Sequence, residues 1–409
     1  MQKKKAVVIG ASHAAAQLCV SLRQEGWDGD VVMIGNEPHL PYHRPPLSKT
    51  FLCGDKTIQD LLIYSAEFYE KNMIQFLHGH VVSIDRVQKI LTLADGSNFS
   101  YDKLALCTGA RVRALENEGS QLEGVYYVRN ATDIEAIQQH IQTAQHAVMI
   151  GGGYIGLETA ASLTKKGMQV SLLEASPRIL QRVTAPELSA FYTRVHQEHG
   201  VQIYTEKCVE RLVGTSTVEG VLCQDGSFIT ADLVIVGIGV HPNVEVAQVA
   251  GIVVNNGVVI DQYCQTNDPD IVAAGDCTSH FNQLYQRQIR LESVPNANAQ
   301  AKIAAATMCG KTKVFDTLPW FWSDQYDIKL QIAGLNHGYD QMIIRGDIQN
   351  GYSFSAFYFK EQKLIAADCI NRPLEFMVSK KIITDNIPVD LKQISDDSFD
   401  IREMLKLNL

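Results

Sequence analysis

Two glycine turns, each set between a run of β-branched residues and a helical stretch, constrain this chain more than anything else in it. Near the start, Lys5-Ala6-Val7-Val8-Ile9 runs into Gly10-Ala11-Ser12-His13-Ala14-Ala15. A helical stretch over residues 17–23 follows, and then Val31-Val32-Met33-Ile34 closes on Gly35-Asn36-Glu37. Further on, Ala147-Val148-Met149-Ile150 leads into Gly151-Gly152-Gly153-Tyr154-Ile155-Gly156, a helical stretch over residues 157–163, and Val170-Ser171-Leu172-Leu173 ending in Glu174. Unbroken apolar runs of this kind suit strands buried on both faces of a parallel sheet. In such a strand–turn–helix unit the first glycine makes the turn and the helix N-terminus faces a pyrophosphate. An acid at the end of the next strand takes a ribose hydroxyl.

The two copies differ in strength. In the first, Ser12 replaces the glycine that lets backbone approach phosphate, and a bare Gly-Ala-Ser turn occurs in many α/β proteins. The ligand-binding and purely structural readings both stand at that point. In the second, every glycine of the pattern is present, and Glu174 follows Gly151 by twenty-three residues. That acid would also repel a 2′-phosphate, so the second unit is expected to prefer NADH over NADPH. A simple dehydrogenase needs one dinucleotide site. Two suggest FAD and NADH in one chain, the NADH domain inserted into the FAD domain so that nicotinamide meets flavin.

The rest of the sequence narrows the class. At 409 residues the chain is long enough for two or three domains. No internal apolar run approaches the ~20 residues of a membrane helix, and the charged start followed by Ala6-Val7-Val8-Ile9 reads as a first strand, not a leader. A cytoplasmic protein is expected. The net charge of −9 argues against general affinity for nucleic acid or anionic membrane. The nine cysteines form no C-x-x-C, and Cys264 and Cys277 are the nearest pair. No internal iron–sulfur, zinc or other metal site is expected, and most of these thiols read as small buried hydrophobes.

Further strings resemble the glutathione-reductase-like flavoproteins: Leu104-Ala105-Leu106-Cys107-Thr108-Gly109-Ala110, Val236-Gly237-Ile238-Gly239-Val240-His241-Pro242-Asn243, and Ile271-Val272-Ala273-Ala274-Gly275-Asp276. Within that superfamily, Pro41-Tyr42-His43-Arg44-Pro45-Pro46-Leu47-Ser48-Lys49, Glu292-Ser293-Val294-Pro295-Asn296-Ala297 and Pro319-Trp320-Phe321-Trp322-Ser323-Asp324-Gln325-Tyr326 resemble the ferredoxin reductases of bacterial oxygenase systems. The resemblance runs the length of the chain. It implies an α/β fold of two Rossmann-like dinucleotide-binding domains of glutathione reductase type and a C-terminal α+β domain. The expected division is an FAD domain over 1–109 and 241–318, an NAD domain over 110–240, and a domain over 319–409 that covers the flavin.

The resemblance also assigns roles. FAD would be held by Gly10, Ser12, His13 and Ala14 at the first turn, and by Glu37 (with Asn36 as competitor) at its ribose. Arg44 and Pro45 would serve its pyrophosphate, with Arg suited to phosphate oxygens. Val82, Thr108, Gly109 and Arg129 are further contacts, Asp276 would hold the ribityl chain, and Val294 and Trp322 would lie against the ring. For NADH the contacts would be Gly151, Gly153, Tyr154, Ile155, Glu174, Arg182 and Gly239. Lys49 would stand beside flavin N5 and Glu158 beside the nicotinamide, as supporting groups in a hydride transfer that needs mainly alignment. The plain alternative for this pair is a structural salt bridge.

Disulfide reductases of this fold carry C-x-x-x-x-C beside the flavin, whereas this chain has only Cys53 there. Two electrons taken as hydride would then leave singly to an outside carrier, a [2Fe–2S] ferredoxin that feeds a cytochrome P450 or Rieske oxygenase. Such carriers are usually acidic, so a local basic rim including Lys302, Lys329 and Lys380 would be needed for docking. A solvated surface is the plain reading for each lysine. A monomer or weak dimer is expected. Three other readings stay open: a rubredoxin reductase, an NADH oxidase or peroxidase using Cys53, and a signalling flavoprotein resembling apoptosis-inducing factor.

Overall fold

The structure is a computed structural model and describes residues 3–406. The chain forms two compact units, one of residues 1–43, 58–111 and 240–317, the other of residues 44–57, 112–239 and 318–409.

The first unit is built on a five-stranded parallel sheet in the order Ile271–Ala273, Lys103–Leu106, Lys5–Ile9, Asp30–Gly35, Ile74–His78. Ala6, Val7 and Val8 are fully buried, as their unbroken apolar run requires. The helix His13–Gln24 lays Ala15, Leu18, Cys19 and Leu22 into the core. It packs on the helix Val294–Met308, whose buried face is Ala297, Ala301, Ala304 and Ala305. Two three-stranded sheets, one over residues 81–100 and one over residues 258–289, complete the unit.

The second unit repeats the theme. Its parallel sheet has the order Gln202–Tyr204, Gln169–Leu173, His146–Ile150, Leu233–Val236, Val125–Tyr127, with the helix Tyr154–Lys165 following its central strand. An antiparallel sheet of Trp320–Gln325, Ile328–Gly334, Lys363–Ile370, Phe354–Lys360 and Gln341–Gly346 belongs to the same unit. Phe354 through Phe359 are all buried because both faces of their strand are covered. The helix Pro373–Asp385 packs on this sheet, and Phe191 meets Phe354 with ring centroids 4.9 Å apart. Among the described residues no helix is long and apolar enough to cross a membrane.

Candidate functional site

Each parallel sheet reverses its strand order beside its central strand, and the crevice beyond the carboxyl ends at such a reversal is where α/β proteins bind nucleotides. In the first unit the reversal lies between Lys5–Ile9 and Lys103–Leu106. Gly10 turns there with φ 118°, and a methyl group on it would sit 2.0 Å from the Cys107 carbonyl oxygen. Only glycine fits. Ser12 is the N-cap of the following helix, and its side chain makes no capping bond to the helix amides. His13 and Ala14 are buried in the first turn.

The other first-unit residues gather at strand ends of the same sheet. Glu37 follows the strand Asp30–Gly35 and accepts a hydrogen bond from the Tyr42 hydroxyl. Thr108 and Asn243 are laced together: Thr108 Oγ1 donates to the Asn243 carbonyl at 2.6 Å, and Asn243 Nδ2 donates to the Thr108 carbonyl at 2.9 Å. Gly109, with φ 65°, receives the Asn243 amide on its carbonyl. Asp276 follows the strand Ile271–Ala273, and Val294 opens the helix capped by Ser293. Val82 belongs to a different sheet, the antiparallel one over residues 81–100, with its side chain exposed.

The second turn shows three glycines in three roles. Gly151 has φ 110°, and a methyl there would fall 2.4 Å from the Gly237 carbonyl oxygen, the counterpart of the Gly10–Cys107 approach. A methyl on Gly156 would fall 2.2 Å from the Gly151 carbonyl oxygen, so this glycine lets the helix sit close on its own turn. Gly153 is the helix N-cap, and a methyl on it would meet nothing within 4 Å. That glycine faces open space at a helix N-terminus, the position a pyrophosphate needs.

Glu174 closes the turn from the next strand, accepting from the Gly152 amide at 2.8 Å and the Ser176 amide at 2.7 Å. Arg182 is exposed with its guanidinium 3.8 Å from where a Gly239 side chain would begin, and Ile155 is half-exposed beside Gly153. Tyr154 lies against Phe321, ring centroids 5.1 Å apart, with its hydroxyl buried and without a hydrogen-bond partner. Desolvation, with Asp368 next in effect, pushes that hydroxyl well above the usual phenol range.

Lys49 and Glu158 meet in the second unit. Lys49 Nζ is 2.6 Å from Glu158 Oε2, and Ser48 Oγ donates to the same oxygen at 2.7 Å. Ser323 Oγ donates to Oε1 at 2.7 Å. Glu158 is 6% exposed on the helix Tyr154–Lys165. One helical turn on, Ser162 Oγ donates to the Ser48 carbonyl at 2.7 Å, so positions i and i+4 both grip the Pro45–Ser48 turn. Arg44 Nη1 donates to the Arg129 carbonyl at 2.6 Å, joining two residues assigned to FAD. Trp322 stands in the strand Trp320–Gln325 on the face opposite Ser323, 5.7 Å from the Trp320 ring.

Among the predicted docking lysines, Lys302 and Lys329 are exposed, while Lys380 covers the Trp320 ring at 5.0 Å. All nine cysteines are free, and Cys53 is buried with its amide bonded to the Lys49 carbonyl. Among the described residues no group of three metal-ligating side chains exists.

Sequence reading passed over Ser48, Ser323 and Gln300. Ser48 and Ser323 stand inside quoted strings, but nothing in sequence ties them to an acid 110 and 165 positions away. Gln300, fully buried, accepts from the Gly275 amide and the Thr278 hydroxyl, each at 2.9 Å, and so holds the turn that carries Asp276. A lone glutamine in an alanine-rich helix was its only signal.

The glycine cradles, the open N-terminus at Gly153 and the acids closing each unit fit a dinucleotide in each. Comparison with known proteins agrees. The model of the pyridine nucleotide-disulphide oxidoreductase family matches residues 4–301, and that of the reductase C-terminal family matches residues 320–405. The chain is 43% identical over 406 residues to putidaredoxin reductase of Pseudomonas putida, covering 98% of this chain and 96% of that one. It is 41% identical over 381 residues to a ferredoxin–NAD(P)(+) reductase of a Sphingomonas species, covering 92% of each. Among solved structures, the covalent putidaredoxin reductase–putidaredoxin complex superposes with a TM-score of 0.96 at 41% identity and 99% coverage of both chains. With two cradles of one design and a match spanning most of its length, this chain belongs to the pyridine nucleotide-disulphide oxidoreductase family.

Proposed function

We propose that this protein is an FAD-dependent NADH:ferredoxin oxidoreductase. It passes a hydride from NADH to FAD and then single electrons to a [2Fe–2S] ferredoxin serving an oxygenase. The observation that carries the reading is the ion pair between Lys49, which follows the Pro45–Ser48 turn, and Glu158, buried on the helix behind the second glycine turn, in a chain without a redox dithiol. Relatives named as a putidaredoxin reductase and a ferredoxin–NAD(P)(+) reductase, alike over nearly their full length, support the class of acceptor. Bound FAD supplies the conversion of a two-electron donor into one-electron steps; the side chains supply position and charge.

In the second unit, Gly153 leaves room for the NADH pyrophosphate at the helix N-terminus. Glu174 takes the adenosine ribose and repels a 2′-phosphate. The Lys49 ammonium offers a fixed positive charge to developing negative charge. In the first unit, Gly10 and the helix behind it hold the FAD pyrophosphate and Asp276 the ribityl chain. Cys53, buried and bonded through its backbone, takes no part. Nine thiols with no disulfide suit a reducing compartment, and the reaction belongs in the cytoplasm.

The test is cytochrome c reduction by NADH with and without a [2Fe–2S] ferredoxin. Ferredoxin-dependent reduction is expected. Oxygen or peroxide consumption without ferredoxin dependence, abolished by Cys53→Ser, would overturn the reading.

A further inference from the structure

The Glu158 carboxylate ends a longer chain of hydrogen bonds. Ser323 Oγ donates to Glu158 Oε1 at 2.7 Å, and Gln325 Nε2 donates to Ser323 Oγ at 3.1 Å. Gln325 Oε1 is 2.8 Å from His196 Nε2, and His196 Nδ1 is 3.2 Å from the Tyr326 hydroxyl. The period of two along Trp320–Gln325 puts Ser323 and Gln325 on one face, and His196 reaches them from the helix Pro186–Glu198. Ser323, Gln325 and His196 are 0%, 1% and 0% exposed. At the outer end Tyr326, held at φ 54°, stacks on exposed His199 with ring centroids 3.7 Å apart.

The chemistry of these groups permits one direction only. An ionised carboxylate accepts and never donates. The single Ser323 proton must therefore go to Glu158, and Ser323 must accept from the Gln325 amide. The Gln325 carbonyl then faces His196, which must carry its proton on Nε2 and accept from Tyr326 on Nδ1. Burial pushes the His196 imidazole down to about 4, so the ring is neutral near pH 7 and carries one N–H. The amide of Gln325 does not relay a proton without becoming an imidic acid. The chain holds; it does not conduct.

We propose that Ser323, Gln325 and His196 are positioning residues, a one-way chain that fixes the Glu158 carboxylate against Lys49 and takes its direction from the charge on Glu158. Only the kinetic consequence rests on the role assigned to Glu158 above. Glu158→Gln reverses the chain. Lys49 and Ser48 both present donors to the Oε2 side, so the new carbonyl turns to them and the new amide group faces Ser323. Ser323 then donates to the Gln325 carbonyl, the Gln325 amide donates to His196 Nε2, and the ring proton moves to Nδ1.

The test is multiple-bond proton–nitrogen NMR on FAD-loaded protein with labelled histidine, His196 being assigned by the signal lost in His196→Gln. The expected result is the Nε2–H form in the unaltered protein and the Nδ1–H form in Glu158→Gln. An Nδ1–H form or an even mixture in the unaltered protein overturns the proposal, whether or not the variant folds. In stopped-flow flavin reduction, Ser323→Ala and Gln325→Leu should lower the limiting rate roughly tenfold with KM for NADH little changed, and Ser323→Thr should restore it. Unchanged limiting rates in both variants overturn the positioning role. A switched tautomer in Glu158→Gln with an unchanged rate in that variant would keep the chain's direction and remove Glu158 from the hydride step, which separates the two readings.

Discussion

Glu158 accepts from three side chains, and its burial makes the pair with Lys49 costly to break on one side. Removing one partner of a buried pair leaves an unpaired charge, with a typical loss of ~3–5 kcal/mol. Lys49→Met is therefore expected to lower the thermal midpoint strongly, and Lys49→Met with Glu158→Gln to recover most of it. The double variant should still reduce its flavin slowly, by roughly tenfold or more under single turnover. Recovery of both stability and rate would make the pair structural. Cys53→Ser should leave NADH turnover and peroxide handling unchanged, since the thiol is buried and its backbone is already bonded. Lys49 and Glu158 were legible in the sequence because each stands in a string with a recognisable neighbourhood. The hydroxyls that hold Glu158 were not, since strand pairing and helix packing bring them there from distant segments.

The two strand–turn–helix elements were legible almost whole, because glycine spacing records close backbone approaches that no other residue allows. The open space at Gly153 and the contact at Gly156 predict opposite outcomes. Gly153→Asn keeps a good N-cap residue at φ −83° and should leave the melting temperature in place while raising KM for NADH roughly tenfold. Gly156→Ala drives a methyl into the Gly151 carbonyl and should cost about 1–3 kcal/mol in a denaturant titration. Equal losses of stability from both would contradict the roles assigned. The C-terminal sheet was only partly legible. Trp320–Gln325 and Lys363–Ile370 show no regular apolar–polar alternation in the sequence. Lys363–Ile370 is the central strand, and Trp320–Gln325 is an edge strand packed on the helix Tyr154–Lys165, so packing against neighbours decides both and local pattern is weak.

At the scale of the molecule, buried polar groups couple stability to pH. Asp368 is 1% exposed, accepts from the Thr184 and Tyr358 hydroxyls at 2.7 Å each, and is pushed up to about 6, mainly by desolvation. The folded state thus keeps a proton there that the unfolded chain has lost. Stability from this group is present below its unfolded value near 3.8 and falls as pH rises through about 6, by at most about 3 kcal/mol. Asp270 and Asp397, paired with Lys103 and Arg372, are held low and act in the opposite sense. The difference between the protein and Asp368→Asn isolates the effect: the protein should lose ground to the variant between pH 4 and 7. A constant difference would show that Asp368 titrates alike in the folded and unfolded chain. The duplicated glycine turn made the two-nucleotide plan readable from sequence, and the scattered cysteines pointed to an outside acceptor; the hydroxyls that hold Glu158 and Asp368 appear only when the chain is folded.

The defining property of this protein is that hydride enters it and single electrons leave it. Its most direct test is an anaerobic titration with NADH followed by oxidised [2Fe–2S] ferredoxin, with flavin and cluster spectra recorded together. One equivalent of NADH should bleach the flavin, and two equivalents of ferredoxin should restore it while becoming reduced. A bleached flavin that ferredoxin leaves unchanged, and that only oxygen or peroxide reoxidises, would contradict it.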